Sequence, residues 1–141
     1  MSSQPFSNIQ TAKSTTTQLW ELYKDVENWK NWDTEIEWSK LDGDFQEGSI
    51  GQLKAKGSPV LKFEITKIVQ NKRFEYQTNV PFGKLVVDHT FEQKDNLVEF
   101  KHTVYFTGPL NGIFDFILGR GFRKVLPDVL NNIKNILETT K

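Results

Sequence analysis

The segments KLVVDHTFEQ (84–93) and LVEFKHTVYFT (97–107) contain the pattern that decides the fold. A two-residue turn at Asp95 and Asn96 has a composition compatible with the turns that match the twist of paired strands. In that register Phe91 faces Phe100, one face of the hairpin is largely apolar, and the other is polar. A one-residue slip would pair unlike faces. The pattern therefore predicts an antiparallel hairpin with one dry face.

The only two histidines of the chain, His89 and His102, face each other on the dry side of this hairpin. Their Cβ atoms would lie about 5 Å apart, and burial together with like charge would favour the neutral forms. Three interpretations stay open: a structural pair bonded to each other, to a tyrosine or to water, a polar anchor in a ligand pocket, or a metal site. The metal site is the weakest of the three, because the sequence locates no carboxylate beside the pair.

The alternation of apolar and polar residues extends from Glu35 to Thr107 and predicts about six antiparallel strands. A further strand is predicted over Phe6–Lys13. Between them, Thr15 and Gln18 have the spacing of a capping box at the start of a helix. Apolar residues then recur at helical spacing and predict two short helices between about residues 15 and 32.

A long helix is predicted after Gly108 and Pro109. Apolar side chains recur at helical spacing as far as Leu137, and a helix of about thirty residues would be roughly 45 Å long. Pro127 lacks an amide proton and is expected to bend it. Because the chain has no internal repeat or flexible linker, we expect a single domain over residues 1–141.

Composition excludes several classes of function. Eighteen basic and eighteen acidic side chains cancel, so the basic excess of a general nucleic-acid binder is missing. The absence of cysteine excludes disulfides, thiolate zinc sites and a cysteine nucleophile. Residues 1–10 do not have the pattern of a secretory signal, and the apolar run Ile113–Leu118 is short and contains Asp115. We expect a cytoplasmic protein without a membrane span.

The order of predicted elements is that of the helix-grip fold, and the sequence resembles the START-related (SRPBCC) superfamily of polyketide cyclase/dehydrase-like and lipid-transfer proteins. The resemblance lies in the helix pair with its two tryptophans, the turn before the third strand, the entry to the last helix and the tail of that helix. The corresponding stretches are Leu19–Leu22, Asp25–Trp32, Leu41–Gly48, Thr107–Leu110, Leu126-Pro127 and Leu137-Glu138. These motifs are architectural and transfer no catalytic residue.

The resemblance implies an α+β fold in which a curved antiparallel sheet of about seven strands wraps around the long C-terminal helix. Members of the superfamily bind lipids, sterols, hormones or polyketides in the cavity between sheet and helix, and some catalyse cyclisation, dehydration or hydrolysis. Others with a related fold activate a chaperone ATPase. Because fold does not fix function, three hypotheses follow: a binding protein for a hydrophobic or aromatic molecule, a cyclase/dehydratase-type enzyme using the same cavity, and a protein-interaction module with a filled cavity.

Aromatic residues make up 13% of the chain, enough to fill a core or line an apolar pocket. We expect a pocket between the C-terminal helix and the concave face of the sheet. The candidate ligand contacts are Phe63, Tyr76, Val87, His89, Phe91, Phe100, His102, Val104 and Phe116. His89, His102 and Tyr76 are also candidate catalytic residues, since one neutral histidine can take a proton while the other, or Tyr76, holds an oxyanion. No cofactor and no metal are expected.

Two further features have simpler interpretations. Trp29 and Trp32 form an apolar stripe that indicates packing rather than a lid. The acidic run of Asp33, Glu35 and Glu37 is typical of a solvated face. The chain contains no phosphate-binding loop, nucleophile elbow or H-E-x-x-H sequence.

Overall fold

The computed structural model describes residues 6–80, 83–108 and 126–139. The elements in chain order are β1 (Phe6–Ala12), α1 (Thr16–Lys24), a 3-10 helix (Val26–Asn31), β2 (Ile36–Asp42), β3 (Ile50–Ala55), β4 (Val60–Val69), β5 (Arg73–Val80), β6 (Gly83–Lys94) and β7 (Leu97–Thr107). Residues 126–139 are helical and are called α2 here. No helix within these described ranges is long and apolar enough to cross a membrane.

The strands form one antiparallel sheet in the order β1-β7-β6-β5-β4-β3-β2. Register shifts in β2 after Ile36 and in β4 after Ile65 are irregularities of the kind that bend a sheet. The apolar residues of α2, including Leu130 and Ile133, pack with buried residues of the curved sheet. This is the α+β helix-grip architecture that the sequence predicted.

The segment between β1 and β2 forms the two predicted short helices. Thr15 is the N-cap of α1, and its side chain accepts a hydrogen bond from the backbone N–H of Gln18 at 3.2 Å. One face of α1 buries Leu19, Trp20 and Tyr23. The second helix has 3-10 geometry and follows directly, so the pair carries a dense group of aromatic side chains onto the sheet.

The structure confirms the register predicted for the β6–β7 hairpin. His89 is the partner of His102, and Phe91 is the partner of Phe100. The turn residues Asp95 and Asn96 separate the last pair of the ladder, and Asp95 has a left-handed backbone with φ 56°. The two-residue turn therefore places the histidines side by side.

Buried apolar residues form two clusters on the concave face. The larger cluster joins α1, the 3-10 helix, the sheet and α2. The smaller cluster consists of Val87, Val104, Phe106 and Leu126. Tyr76 packs against both clusters. The predicted course of the C-terminal helix before residue 126, with Phe116 and the approach to the expected bend, lies outside the described residues.

Candidate ligand-binding site

The histidine pair belongs to a row of residues that crosses the centre of the sheet. Asn8, His102, His89 and Phe74 are successive partners on β1, β7, β6 and β5. Directly opposed residues share a face of the sheet, and both histidines are 2% exposed. The pair separates the two clusters, because Phe91 and Phe100 lie one step away on the side of the larger cluster while Val87 and Val104 lie one step away on the other side.

His89 is held by the neighbouring strand. Its Nδ1 lies 3.1 Å from the carbonyl oxygen of Phe74, which can only accept, so Nδ1–H donates. The imidazole also stacks on the Phe74 ring, with centroids 3.8 Å apart and planes at 7°. When the ring is neutral, this bond assigns the proton to Nδ1 and leaves Nε2 as an acceptor.

His102 is held from above the sheet by α1. The hydroxyl oxygen of Tyr23 lies 2.8 Å from its Nε2. Burial raises the pKa of Tyr23 well above its usual value, so the phenol keeps its proton. We assign the phenol as the donor and Nε2 as the acceptor, which places the proton of the neutral His102 ring on Nδ1.

Both imidazoles are neutral at physiological pH. Burial lowers the pKa of His89 well below its usual value, repulsion from a protonated His102 would lower it further, and the bond to Phe74 opposes this in part. Burial lowers the pKa of His102 to about 3. The two rings meet edge to face with centroids 4.4 Å apart. The pair is therefore polar but uncharged inside an apolar environment.

One acceptor and one donor of the pair are left over. Within the described part of the chain, Nε2 of His89 and Nδ1 of His102 have no hydrogen-bond partner. The half-buried Asn8, next to His102 on β1, adds an amide to the same face. The centre of the concave face thus offers hydrogen bonds to a polar group that the described residues do not supply.

Trp32 lies against this centre. Its ring centroid is 5.9 Å from that of Tyr23 and 6.0 Å from that of His102. Its buried Nε1 has no hydrogen-bond partner in the described residues. By contrast, Nε1 of Trp29 donates to the carbonyl oxygen of Tyr23 at 2.8 Å. Both tryptophans pack in the core, as the sequence indicated, but within the described ranges only the indole N–H of Trp29 has an acceptor.

The acidic run is not a solvated face throughout, which corrects the sequence-based interpretation. Glu35 and Glu37 are exposed, but Asp33 is half-buried, and burial raises its pKa to about 6. Burial, together with the charge of Asp33, raises the pKa of Tyr76. The Tyr76 ring stacks on Trp29 with centroids 5.6 Å apart, and among the described residues its hydroxyl has no hydrogen-bond partner. Asp33 and Tyr76 form a second polar group beside the pair.

The residues predicted from the sequence fall into two sets. Phe63, Phe91 and Phe100 are part of the larger cluster, where Phe91 packs against Trp20 and Phe63 against Trp29. Val87 and Val104 are part of the smaller cluster, and Tyr76 joins the two. Phe116 lies outside the described residues. Their contacts to a ligand stay predictions.

Sequence reasoning missed four polar side chains of this region: Asn8, Tyr23, Trp32 and Asp33. One signal for Tyr23 was available. It follows Leu19 by four residues on the apolar stripe of α1, and a buried tyrosine normally finds a partner for its hydroxyl. A tyrosine on that stripe facing two buried histidines is the combination that would have found it.

The described residues form no metal-binding cluster at the pair. None of their His, Cys, Asp and Glu side chains come together in a group of three that could hold a metal ion. Two surface grooves have volumes of about 270 and 480 Å³. The first is lined by Ile9 and by the candidate contacts Phe91 and Phe100, and the second lies between Asp25 and Phe45.

Solved structures share this architecture. Protein MLL2253 from Mesorhizobium loti is 15% identical with a TM-score of 0.78 (98% of this chain, 99% of that chain). A START superfamily protein from Mycobacterium smegmatis is 11% identical with a TM-score of 0.76 (99% and 100%). Norcoclaurine synthase from Thalictrum flavum, in complex with dopamine and hydroxybenzaldehyde, is 10% identical with a TM-score of 0.74 (100% and 89%). At these identities the likeness shows the fold alone, a START-type helix-grip fold.

The sequence itself identifies the family. Residues 9–138 match the family described as polyketide cyclase / dehydrase and lipid transport, and the chain belongs to it. None of the curated proteins is significantly similar to this sequence. Membership of this family supports a hydrophobic ligand-binding fold.

Proposed function

We propose that this protein binds one hydrophobic small molecule, aromatic, lipid-like or polyketide-like, between the concave face of the sheet and the C-terminal helix. The observation that carries the proposal is the neutral histidine pair, which offers an acceptor at His89 and a donor at His102 in apolar surroundings. A pocket with mostly apolar walls and a few convergent polar groups is typical of small-molecule sites. In this role the pair orients an oxygen atom of the ligand.

The ligand occupies the side of the pair that faces the smaller cluster. On the other side, Tyr23 lies 5.5 Å from Phe91 and Trp20 lies 6.0 Å from it, ring centroid to ring centroid, so aromatic side chains already fill the space. Val87, Val104 and Tyr76 are the contacts expected on the ligand side. Family membership supports a hydrophobic ligand, and the norcoclaurine synthase structure gives an example of the fold with aromatic molecules bound.

A matched pair of variants tests the position. The neutral fluorophore N-phenyl-1-naphthylamine is titrated into wild-type protein, Val87→Phe and Val69→Phe. We expect saturable one-to-one binding to the wild type, at least tenfold weaker binding to Val87→Phe because the added ring fills the pocket, and unchanged binding to Val69→Phe, since Val69 is 47% exposed. Folding of each variant is checked first by its thermal midpoint.

The outcome that contradicts the proposal is equally specific. If the wild type shows no saturable binding, or if Val87→Phe folds and binds as the wild type does, the ligand does not occupy this side of the pair. A filled interior would then favour the protein-interaction module, and capture of a partner would be the next experiment.

A cyclase- or dehydratase-type enzyme is the second candidate, and a specific observation favours it. The carboxyl group of Asp33, with its pKa raised to about 6, acts electrostatically on Tyr76, and general acid–base catalysis is most effective when the pKa lies near the working pH. The test incubates the molecule recovered from the purified protein with wild type and His89→Ala and follows its mass. Loss of turnover with retained binding favours catalysis, whereas loss of both in a folded variant favours an anchor.

A further inference from the structure

Trp32 presents a buried hydrogen-bond donor that none of the described residues accepts. The side chain is 3% exposed, and among the described residues no atom accepts its Nε1–H. Leaving a buried donor without an acceptor is costly, and such groups in native proteins are normally satisfied by water or a bound molecule. None of the described residues supplies an acceptor for Trp32, and a bound molecule can supply it.

The position of this donor is fixed from two sides. The backbone N–H of Trp32 donates to the carbonyl oxygen of Trp29 at 3.1 Å, and the side-chain amide of Asn132 on α2 donates to the carbonyl oxygen of Trp32 at 3.2 Å. The indole ring is in turn packed against Tyr23 and His102. A donor held in this way is preorganised for its acceptor, which reduces the entropic cost of binding.

We propose that the indole N–H of Trp32 binds an oxygen acceptor of the ligand, so that the protein selects apolar molecules carrying a neutral carbonyl-type oxygen: ketones, quinones, esters or lactones. This inference rests on the proposed function and names the chemical class of its ligand. Trp32 is then a specificity-determining residue.

The neutrality of the oxygen follows from the groups around the donor. An indole N–H can only donate, and Nδ1–H of His102 is a second neutral donor on the neighbouring ring. None of the described rings that contact Trp32, those of Tyr23, Trp29 and His102, carries a charge. A carboxylate at this place would lose its hydration without gaining a cation from them, which is costly. A carbonyl oxygen has two lone pairs and needs no counter-charge.

Two isosteric probes separate the oxygen from the shape of the ligand. In 2-acetonaphthone a carbonyl group occupies the place that a C=CH₂ group has in 2-isopropenylnaphthalene, and the remaining atoms are the same. Binding of both is measured for wild type, Trp32→Phe and Trp38→Phe. We expect the ratio of ketone affinity to alkene affinity to be about three- to tenfold higher in the wild type than in Trp32→Phe, which is the range of one neutral hydrogen bond. Trp38, on the edge strand β2, is the control and should leave the ratio unchanged.

A spectroscopic measurement on the wild type makes the test independent of how the variant folds. The four tryptophans give four indole cross-peaks in a ¹H–¹⁵N spectrum. Saturation with 2-acetonaphthone should shift the Trp32 proton downfield relative to saturation with 2-isopropenylnaphthalene. The Trp29 peak is the internal control, because its N–H is already bonded to the carbonyl of Tyr23.

The outcomes separate the two proposals. The carbonyl subsite is overturned if the ratio of ketone affinity to alkene affinity is the same in wild type and Trp32→Phe and if both probes shift the Trp32 indole peak equally. The hydrophobic site would stand in that case, and the indole N–H would bind only water. If neither naphthalene binds, the proposed function fails and the subsite fails with it.

Discussion

The hydroxyl group of Tyr23 donates a hydrogen bond of 2.8 Å to Nε2 of His102, which joins α1 to the centre of the sheet across 79 positions of sequence. The contact satisfies two buried polar groups at once, the phenol and Nε2 of His102. The polar centre of the concave face is thus built by a helix and a hairpin together.

Removing the Tyr23 hydroxyl is expected to destabilise the protein. Tyr23→Phe leaves Nε2 of His102 buried without a donor, which should lower the free energy of unfolding by about 1–3 kcal/mol. Urea denaturation measures the change. Tyr105→Phe, which removes a half-buried hydroxyl on β7, is the control and should change stability by less than about 0.5 kcal/mol. A Tyr23→Phe protein as stable as the wild type would refute the hydrogen bond.

Stability should fall as the pH decreases below about 6.5, because the unfolded histidines then bind protons that the native ones do not. Both native pKa values are lowered, so the stability from neutral burial is present above that pH and is lost below it. Asp33 opposes this loss of stability, because its native pKa is raised to about 6 and the folded state takes up a proton as the pH falls. Between about pH 7.5 and pH 5 we expect a net loss of about 2–4 kcal/mol.

The contribution of the two histidines to the pH dependence of stability is measured with variants, because the total also contains the opposing contribution of Asp33. His89→Gln and His102→Gln should each reduce the number of protons taken up on unfolding near pH 5.5 by about one. Urea denaturation across a pH series gives this number from the slope. Equal slopes in wild type and variants would mean that the histidines are charged or exposed in the native state.

The two buried tryptophans of the 3-10 helix segment should respond differently to the same substitution. Trp29→Phe loses ring volume and also the hydrogen bond to the carbonyl oxygen of Tyr23. Trp32→Phe loses the same volume and a donor that has no acceptor in the described part of the chain. Without ligand, Trp29→Phe should therefore be less stable than Trp32→Phe by about 1–2 kcal/mol. Thermal and urea denaturation of the two variants measure this difference in stability. A Trp32→Phe protein less stable than Trp29→Phe would contradict the hydrogen-bond assignment of their indole N–H groups.

Gly51 leaves space that the Phe63 ring occupies. A Cβ atom at this position would overlap the ring of Phe63 and lie 2.6 Å from the carbonyl oxygen of Lys40. Gly51→Ala should cost about 1–3 kcal/mol, the range for overpacking a buried site. Gln52→Ala, the next residue on the opposite face of β3, serves as the control. A neutral Gly51→Ala would show that Phe63 is not fixed in the core.

The sheet was predictable because its pattern is local. The alternation over residues 84–107 and the two-residue turn at Asp95 determine the faces and the register, and with them the pairing of His89 and His102. The roles of Tyr23, Trp32 and Asp33 depend instead on where the helices dock on the sheet. Asp33 illustrates the limit: Glu35 and Glu37 in the same acidic run are exposed, whereas the fold half-buries Asp33.

The central claim is that the interior holds a hydrophobic molecule, and native mass spectrometry tests it most directly. The protein is purified without detergent and its mass is measured as isolated, after denaturing solvent extraction, and after incubation with N-phenyl-1-naphthylamine. We predict a complex of one chain with one hydrophobe that extraction releases, or an empty chain that takes up one fluorophore. The bare mass of the chain in all three measurements would contradict the account.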